Sequence, residues 1–201
     1  SIKTLATCLA EDLGRDHPQA ADLQLIQGEI DRLARTANGL LDFARPARSG
    51  SRHASAGEAL ERTLAVLRHL ARERDVSLEA DVDRGTAAVA VDEPALRDMF
   101  FNLLSNWIEA AGPGGRVTVN CHQENGCVIA AIQDSGPGLA PEVRERLFEP
   151  FVSTKESGTG LGLYTVARRL REARGRITCD SSPTGTTFRI ELPCAPTTDH
   201  D

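Results

Sequence analysis

Apolar residues at the start of the chain recur at helical spacing (Ile2, Leu5, Leu9, Leu13) until Gly14-Arg-Asp-His-Pro18 interrupts them. From about Ala20 a second run carries Ile26, Ile30, Leu33, Ala37, Leu40 and Ala44, spaced 4-3-4-3-4, and ends at Pro46. That spacing is a heptad seam. Two helices joined by a short turn are expected to lie antiparallel, as a hairpin over residues 1–46. The second spans about 25 residues, or roughly 37 Å, against about 20 Å for the first. Equal arms bury a seam best, so the sequence is expected to begin inside the first helix. A lone hairpin leaves its seam exposed on the far side, which predicts pairing with a second copy into a four-helix bundle.

Residues 47–53 are small and polar and read as a linker, and beyond them the pattern becomes mixed. A helix is expected near 56–73, then strands near 76–81 and 86–91. Pro94 sits in the first turn of a helix running to Ala111, where Gly112-Pro-Gly-Gly115 stops it. Strands at 116–122 and 127–133 form a hairpin about Glu124-Asn125-Gly126. A short helix near 141–147, a glycine-rich loop, a helix near 161–174 and strands at 175–181 and 186–192 complete a domain over 54–194. Residues 195–201 read as a disordered or tail segment. Strands and helices alternate without regular βαβ spacing. The fold class expected is α+β, a two-layer sandwich of a mixed sheet with helices on one face.

With only 6 Phe, 1 Trp and 1 Tyr, the core must be aliphatic. A net charge of -6 argues against nucleic acid or an anionic membrane as the main partner. No run reaches the roughly eighteen apolar residues of a membrane span and no signal peptide heads the sequence, so a cytoplasmic location is expected. Five scattered cysteines without a C-x-x-C pair read as reduced thiols.

Four segments carry candidate chemistry. Asn102-Leu-Leu-Ser-Asn106 puts two amides on one face of an apolar helix, where they need partners if buried. Asp134-Ser-Gly-Pro-Gly138 follows the strand Val128-Ile-Ala-Ala-Ile-Gln133, a fixed acceptor beside backbone that a flat ligand can approach. Gly158-Thr-Gly-Leu-Gly-Leu163 feeds a helix, whose free N–H groups suit phosphate. Its glycine spacing fits neither the Rossmann nor the Walker pattern. Gly185-Thr-Thr-Phe188 opens the last strand and alone is merely a turn.

In this order and spacing the four resemble the N, G1, G2 and G3 boxes of the histidine-kinase branch of the GHKL (Bergerat-fold) ATP-binding superfamily. Phe148-Glu-Pro-Phe151 is similar to its F box, and Leu41-Asp-Phe-Ala-Arg-Pro46 to the end of its dimerisation helix. The likeness runs from about residue 52 to Pro193, and Phe151-Val-Ser-Thr-Lys155 looks most like the nitrogen-regulator-like kinases. The resemblance implies ATP and Mg²⁺ as cofactors. Asp134 would accept the adenine amino group, Gly136 and Gly138 would admit the ring, and Thr186 or Thr187 would complete the contacts. Asn106 would ligate Mg²⁺, a hard ion that prefers oxygen. The stretch Gly158, Thr159, Gly160, Leu161, Gly162 and Leu163 would cradle the phosphates. Ser153, Thr154 and Lys155 would border them, with Lys155 the candidate charge on the γ-phosphate.

Asn102 is placed in both the nucleotide-binding and the catalytic set. In the ATP-hydrolysing relatives a glutamate there activates water. Asn cannot act as a general base, so transfer to a protein side chain is favoured over hydrolysis. The family's acceptor histidine stands in a His-Glu/Asp-x-x-Asn/Thr-Pro-like segment that this sequence does not contain. It is expected about two turns upstream of Ser1-Ile-Lys-Thr4. The resemblance further implies a homodimer through the hairpin and relay to a response-regulator receiver domain. A membrane attachment, if there is one, would lie upstream, with this chain as the cytoplasmic part. One departure matters: Trp107 stands where the family usually has Ala, and would either obstruct the pocket or turn into the core as its largest anchor. Two other readings compete, a degenerate nucleotide-binding and dimerisation module without kinase activity and a GHKL-type ATPase.

Overall fold

The computed structural model describes residues 53–153 and 159–196 continuously, with Leu5, Cys8, Leu9, His17, Gln19, Ala20, Asp22, Leu23 and Ile26 from the first stretch. Most of the expected hairpin and linker therefore lies outside the described residues. Of those described, Leu5, Cys8, Leu9, Ala20, Asp22, Leu23 and Ile26 are helical. Ala20 N–H donates to His17 O at 2.9 Å, and Leu23 N–H to Gln19 O at 3.1 Å.

After the two-residue strand Ala54–Ser55 (β1), Ala56–Glu73 (α1) begins where Ser55 Oγ accepts the Glu58 N–H at 3.2 Å. Such a cap satisfies one of the donors a helix start leaves unpaired. Its buried residues, among them Ala56, Leu60, Thr63, Leu64, Leu67 and Ala71, recur at three and four and form one stripe. Glu93–Ala111 (α2) is capped in the same way, Asp92 Oδ1 accepting the Ala95 N–H at 2.8 Å, with Pro94 in the first turn. Met99, Phe100, Leu103, Leu104, Trp107 and Ile108 face inward from it. Arg62 of α1 pairs with Glu93 at the start of α2.

These helices pack on a mixed sheet of five strands. The strands are Ser77–Val82 (β2), Arg116–Glu124 (β4), Cys127–Asp134 (β5), Arg176–Ser182 (β6) and Gly185–Pro193 (β7), in the order β2-β4-β5-β7-β6. Only the β2–β4 pair is parallel. Alternate residues (Val117, Val119, Cys121; Val128, Ala130, Ile132; Phe188, Ile190, Leu192) join the helices in one core. The expected two-layer α+β sandwich with helices on one face is the fold observed. Pro141–Glu145 (α3) and Gly162–Glu172 (α4) complete it. Asn125 and Gly126, with φ of 49° and 75°, close the β4–β5 hairpin in the doubly left-handed turn that Asn-Gly favours.

The strand expected near 86–91 is only Ala88–Val89 (β3), and it pairs with β1 rather than with β2. The chain on either side is committed elsewhere. Thr86 Oγ1 accepts the Gly57 N–H at 3.1 Å, and Val91 N–H turns back to Val89 O at 2.8 Å, toward the cap of α2. The end of the domain joins the same ribbon. Cys194 bridges Val89, and Ala195 N–H donates to Ala88 O at 2.6 Å. The first residue of the expected tail is thus tied down, and 197–201 lie outside the described residues.

All five cysteines are free. Burial, with Asp83 nearby, pushes the Cys121 thiol up to about 12, and burial, with Asp180 nearby, pushes Cys179 to about 11. Both stay protonated and unreactive at neutral pH. Among the described residues no helix is long and apolar enough to cross a membrane.

Candidate functional site

The core face of the sheet ends in a polar row. Val117 pairs with Asp134, Gln133 with Thr187 and Ser181 with Thr186, which sets Asp134, Thr186 and Ser181 side by side across β5, β7 and β6. The next row inward is Val119, Ile132, Phe188 and Cys179. Asp134 and Thr186 are 3% and 4% exposed, deep for groups of their polarity. Burial pushes the Asp134 carboxyl above its ordinary value, and backbone hydrogen bonds from Gly136 and Thr186 offset part of that rise. Gly136 N–H reaches Asp134 Oδ1 at 2.6 Å. The hydroxyls of Ser181 and Thr186 are hydrogen-bonded at 3.0 Å, and Leu139 N–H donates to Ser181 Oγ at 2.7 Å.

The loop between β5 and α3 is therefore pinned beside the polar row. Gly138 makes that possible. It holds φ at 77°, and a Cβ there would run into Ser182 O. Gly136 lies close against α2, where a Cβ would stand 2.6 Å from Ala110 O. Gly138→Ala is expected to cost about 1–3 kcal/mol of stability from backbone strain, read as a lower urea midpoint.

On α2, Asn102 and Asn106 lie one turn apart and both are half-buried. Thr159, Gly160 and Leu161 lead into α4, where Leu161 O accepts the Thr165 N–H at 2.9 Å. A Cβ on Gly162 would stand 3.7 Å from Asn102 Oδ1, so the start of α4, carrying Gly162 and the half-buried Leu163, rests against Asn102. Phe151 N–H donates to Gly160 O at 3.1 Å, drawing together the two ends of the chain between them. Ser153 is exposed at one of those ends, and Thr154, Lys155 and Gly158 lie outside the described residues. Strand alternation separates the two threonines. Thr186 shares the face of Asp134, whereas Thr187 pairs with Gln133 and Asp180 and belongs to the opposite face.

Trp107 takes the inward course. It is 5% exposed, with its ring 4.2 Å from that of Phe188 at 87°. Phe148 meets the same Phe188 edge-to-face at 5.9 Å. Ser181 carries no local motif in the sequence. Only strand register brings it to Thr186, and the signal available was a polar Ser181-Ser182 pair closing an otherwise alternating strand.

The arrangement offers a buried acceptor on a polar shelf, a pinned glycine loop, and two half-buried amides of which Asn102 faces a helix start. Residues 91–196 match the family described as "Histidine kinase-, DNA gyrase B-, and HSP90-like ATPase". The chain is 33% identical over 196 residues to the sensor histidine kinase ZraS of Klebsiella oxytoca, covering 96% of this chain and 42% of that protein. It thus spans less than half the length of this relative. Full-length ShkA, solved in complex with AMPPNP, superposes with a TM-score of 0.75 at 26% identity over 96% of this chain and 43% of ShkA. The histidine kinase ThkA, solved with the response regulator TrrA, shares the fold (TM-score 0.72, 19% identity, 97% of this chain and 58% of that one). With the family model matched over more than half of its residues and a sensor histidine kinase 33% identical over 96% of its length, this chain belongs to the histidine kinase-, DNA gyrase B- and HSP90-like ATPase family.

Proposed function

We propose that this chain is the ATP-binding core of a sensor histidine kinase, which binds Mg·ATP and passes its γ-phosphoryl group to a histidine outside this sequence. The observation that carries the reading is the buried Asp134 carboxylate. Its partners among the described residues are backbone N–H groups, which leaves acceptor capacity for the exocyclic amine of adenine. Guanine presents a carbonyl oxygen at the same position and would meet the carboxylate acceptor to acceptor. Thr186 and Ser181 extend the polar shelf beside it.

The half-buried Asn106 amide fits a magnesium ion that keeps most of its ligands from phosphate oxygens and water. Bound there, the metal would spread the negative charge of the triphosphate. The N–H groups at the start of α4, beside Asn102, suit the phosphates themselves. Lys155 is proposed to meet the γ-phosphate. Asn102 offers no general base for water, which supports transfer to a side chain rather than hydrolysis. The burial of Trp107 against Phe188 supports reading the site as intact rather than degenerate. With this reading go a homodimer through the hairpin, a response-regulator receiver as the final acceptor, and a cytoplasmic site of action.

Calorimetry with Mg·ATP tests the first half of the reading, and no heat of binding at millimolar nucleotide would sink it. For the second half, the chain is mixed with a separately produced dimerisation hairpin that carries a histidine acceptor. Acid-labile phosphate should then accumulate on that hairpin in the presence of Mg·ATP. Steady phosphate release without an acceptor, abolished by Asp134→Asn, would instead favour the ATPase reading.

A further inference from the structure

Trp107 is the only tryptophan in the chain and stands one residue after Asn106 on α2. Its indole meets the Phe188 ring at 4.2 Å and 87°. Phe188 lies between Ile132 and Cys179, in the row directly inward of Asp134, Thr186 and Ser181. Neighbouring rows on one face of a strand are about 7 Å apart, roughly the width of one aromatic ring. Phe188 is fully buried, so it backs the floor behind the polar row on which a flat group would sit, and the indole packs against it from α2. Phe148 closes on the same ring at 5.9 Å and leaves it little room to shift. The indole Nε1 is buried without a hydrogen-bond partner among the described residues. Polar pairing thus does not fix the ring; its volume against Phe188 does.

We propose that Trp107 is a specificity-determining residue of the nucleotide pocket, the wedge that sets its depth behind Asp134 and fits it to an unsubstituted adenine. The inference rests on the adenine reading of Asp134. It adds a residue that touches neither the phosphates nor the Asp134 carboxylate, and it assigns the limit on base size to α2 rather than to the glycine loop.

The test uses the intact chain and two probes, Mg·ATP and the same nucleotide carrying a benzyl group on the exocyclic amine. In calorimetry the parent is expected to bind the benzylated nucleotide at least about tenfold more weakly than ATP. Trp107→Leu, which keeps an apolar side chain but shortens the wedge, should narrow that ratio by about tenfold. Saturating ATP should also shift the emission of the parent's single tryptophan. A folded Trp107→Leu variant with the parental ratio overturns the proposal, and so does parental emission that ignores bound ATP. The emission measurement needs no variant, so it decides the matter if Trp107→Leu fails to fold. A parent that binds no ATP at all removes the adenine reading and this inference together, whereas ATP binding with an unchanged ratio removes the inference alone.

Discussion

Asp134→Asn should weaken Mg·ATP by about 10- to 100-fold while leaving the ligand-free fold at least as stable as the parent. The two effects have opposite signs because the same burial acts on both. In the ligand-free protein the carboxyl titrates above its unfolded value, chiefly through burial. A raised carboxyl favours folding where it is protonated. Its contribution is fully present below the unfolded value and is lost as pH rises through the folded one. At neutral pH the parent therefore carries an unfavourable buried charge that Asn does not. The amide oxygen, with two lone pairs, must then accept both the Gly136 N–H now held at 2.6 Å and the Thr186 N–H. Asn in place of the carboxylate removes the charge-assisted acceptor, and its NH₂ group opposes the adenine amine donor to donor. Calorimetry at pH 7 reads the affinity, and urea melts at pH 4 and 7 read the stability. The parent should lose stability relative to the variant as pH rises between them. A variant that binds ATP as the parent does would remove Asp134 from base recognition.

What was legible in the sequence follows from how local each determinant is. The helices α1 and α2 are written in their caps, Ser55 and Asp92, and in apolar stripes that repeat at three and four. The β4–β5 hairpin is written in Asn125-Gly126, because few other pairs tolerate two left-handed residues in succession. The β1–β3 ribbon was not legible. Its two-residue strands exist only because Thr86, Gly57 and Cys194 meet there from three distant parts of the chain. The site divides in the same way. Asp134 and the glycines carry local signals, whereas Ser181 enters only through register with Thr186. Strand parity separates Thr186 from Thr187, because Gln133 pairs with Thr187 and leaves Thr186 on the face of Asp134. Trp107 posed a question of direction, and the face of a helix is fixed by what it packs on. Phe188, Phe148 and the sheet supply that surface.

Trp107→Ala should cost about 3–5 kcal/mol, a large share of the 5–15 kcal/mol that holds a typical domain folded. The size of the effect follows from position. The indole is the largest side chain of α2, it is 5% exposed, and it meets Phe188, itself fully buried, at the centre of the aromatic group. Truncation leaves a cavity between two rigid layers, and the sheet is held on both sides by full ladders from β4 to β6. It can collapse little, so most of the cavity cost remains. Trp107→Phe separates volume from polarity. It gives up part of the packing, but it also removes an indole N–H that is buried without a partner among the described residues, and such a group costs about 1–3 kcal/mol. The two terms oppose each other, so Trp107→Phe is expected within about 1.5 kcal/mol of the parent. Urea melts of the three proteins, with unchanged slopes, provide the comparison. Equal losses for Phe and Ala would mean that the N–H is satisfied in solution and that ring volume is not what Trp107 supplies.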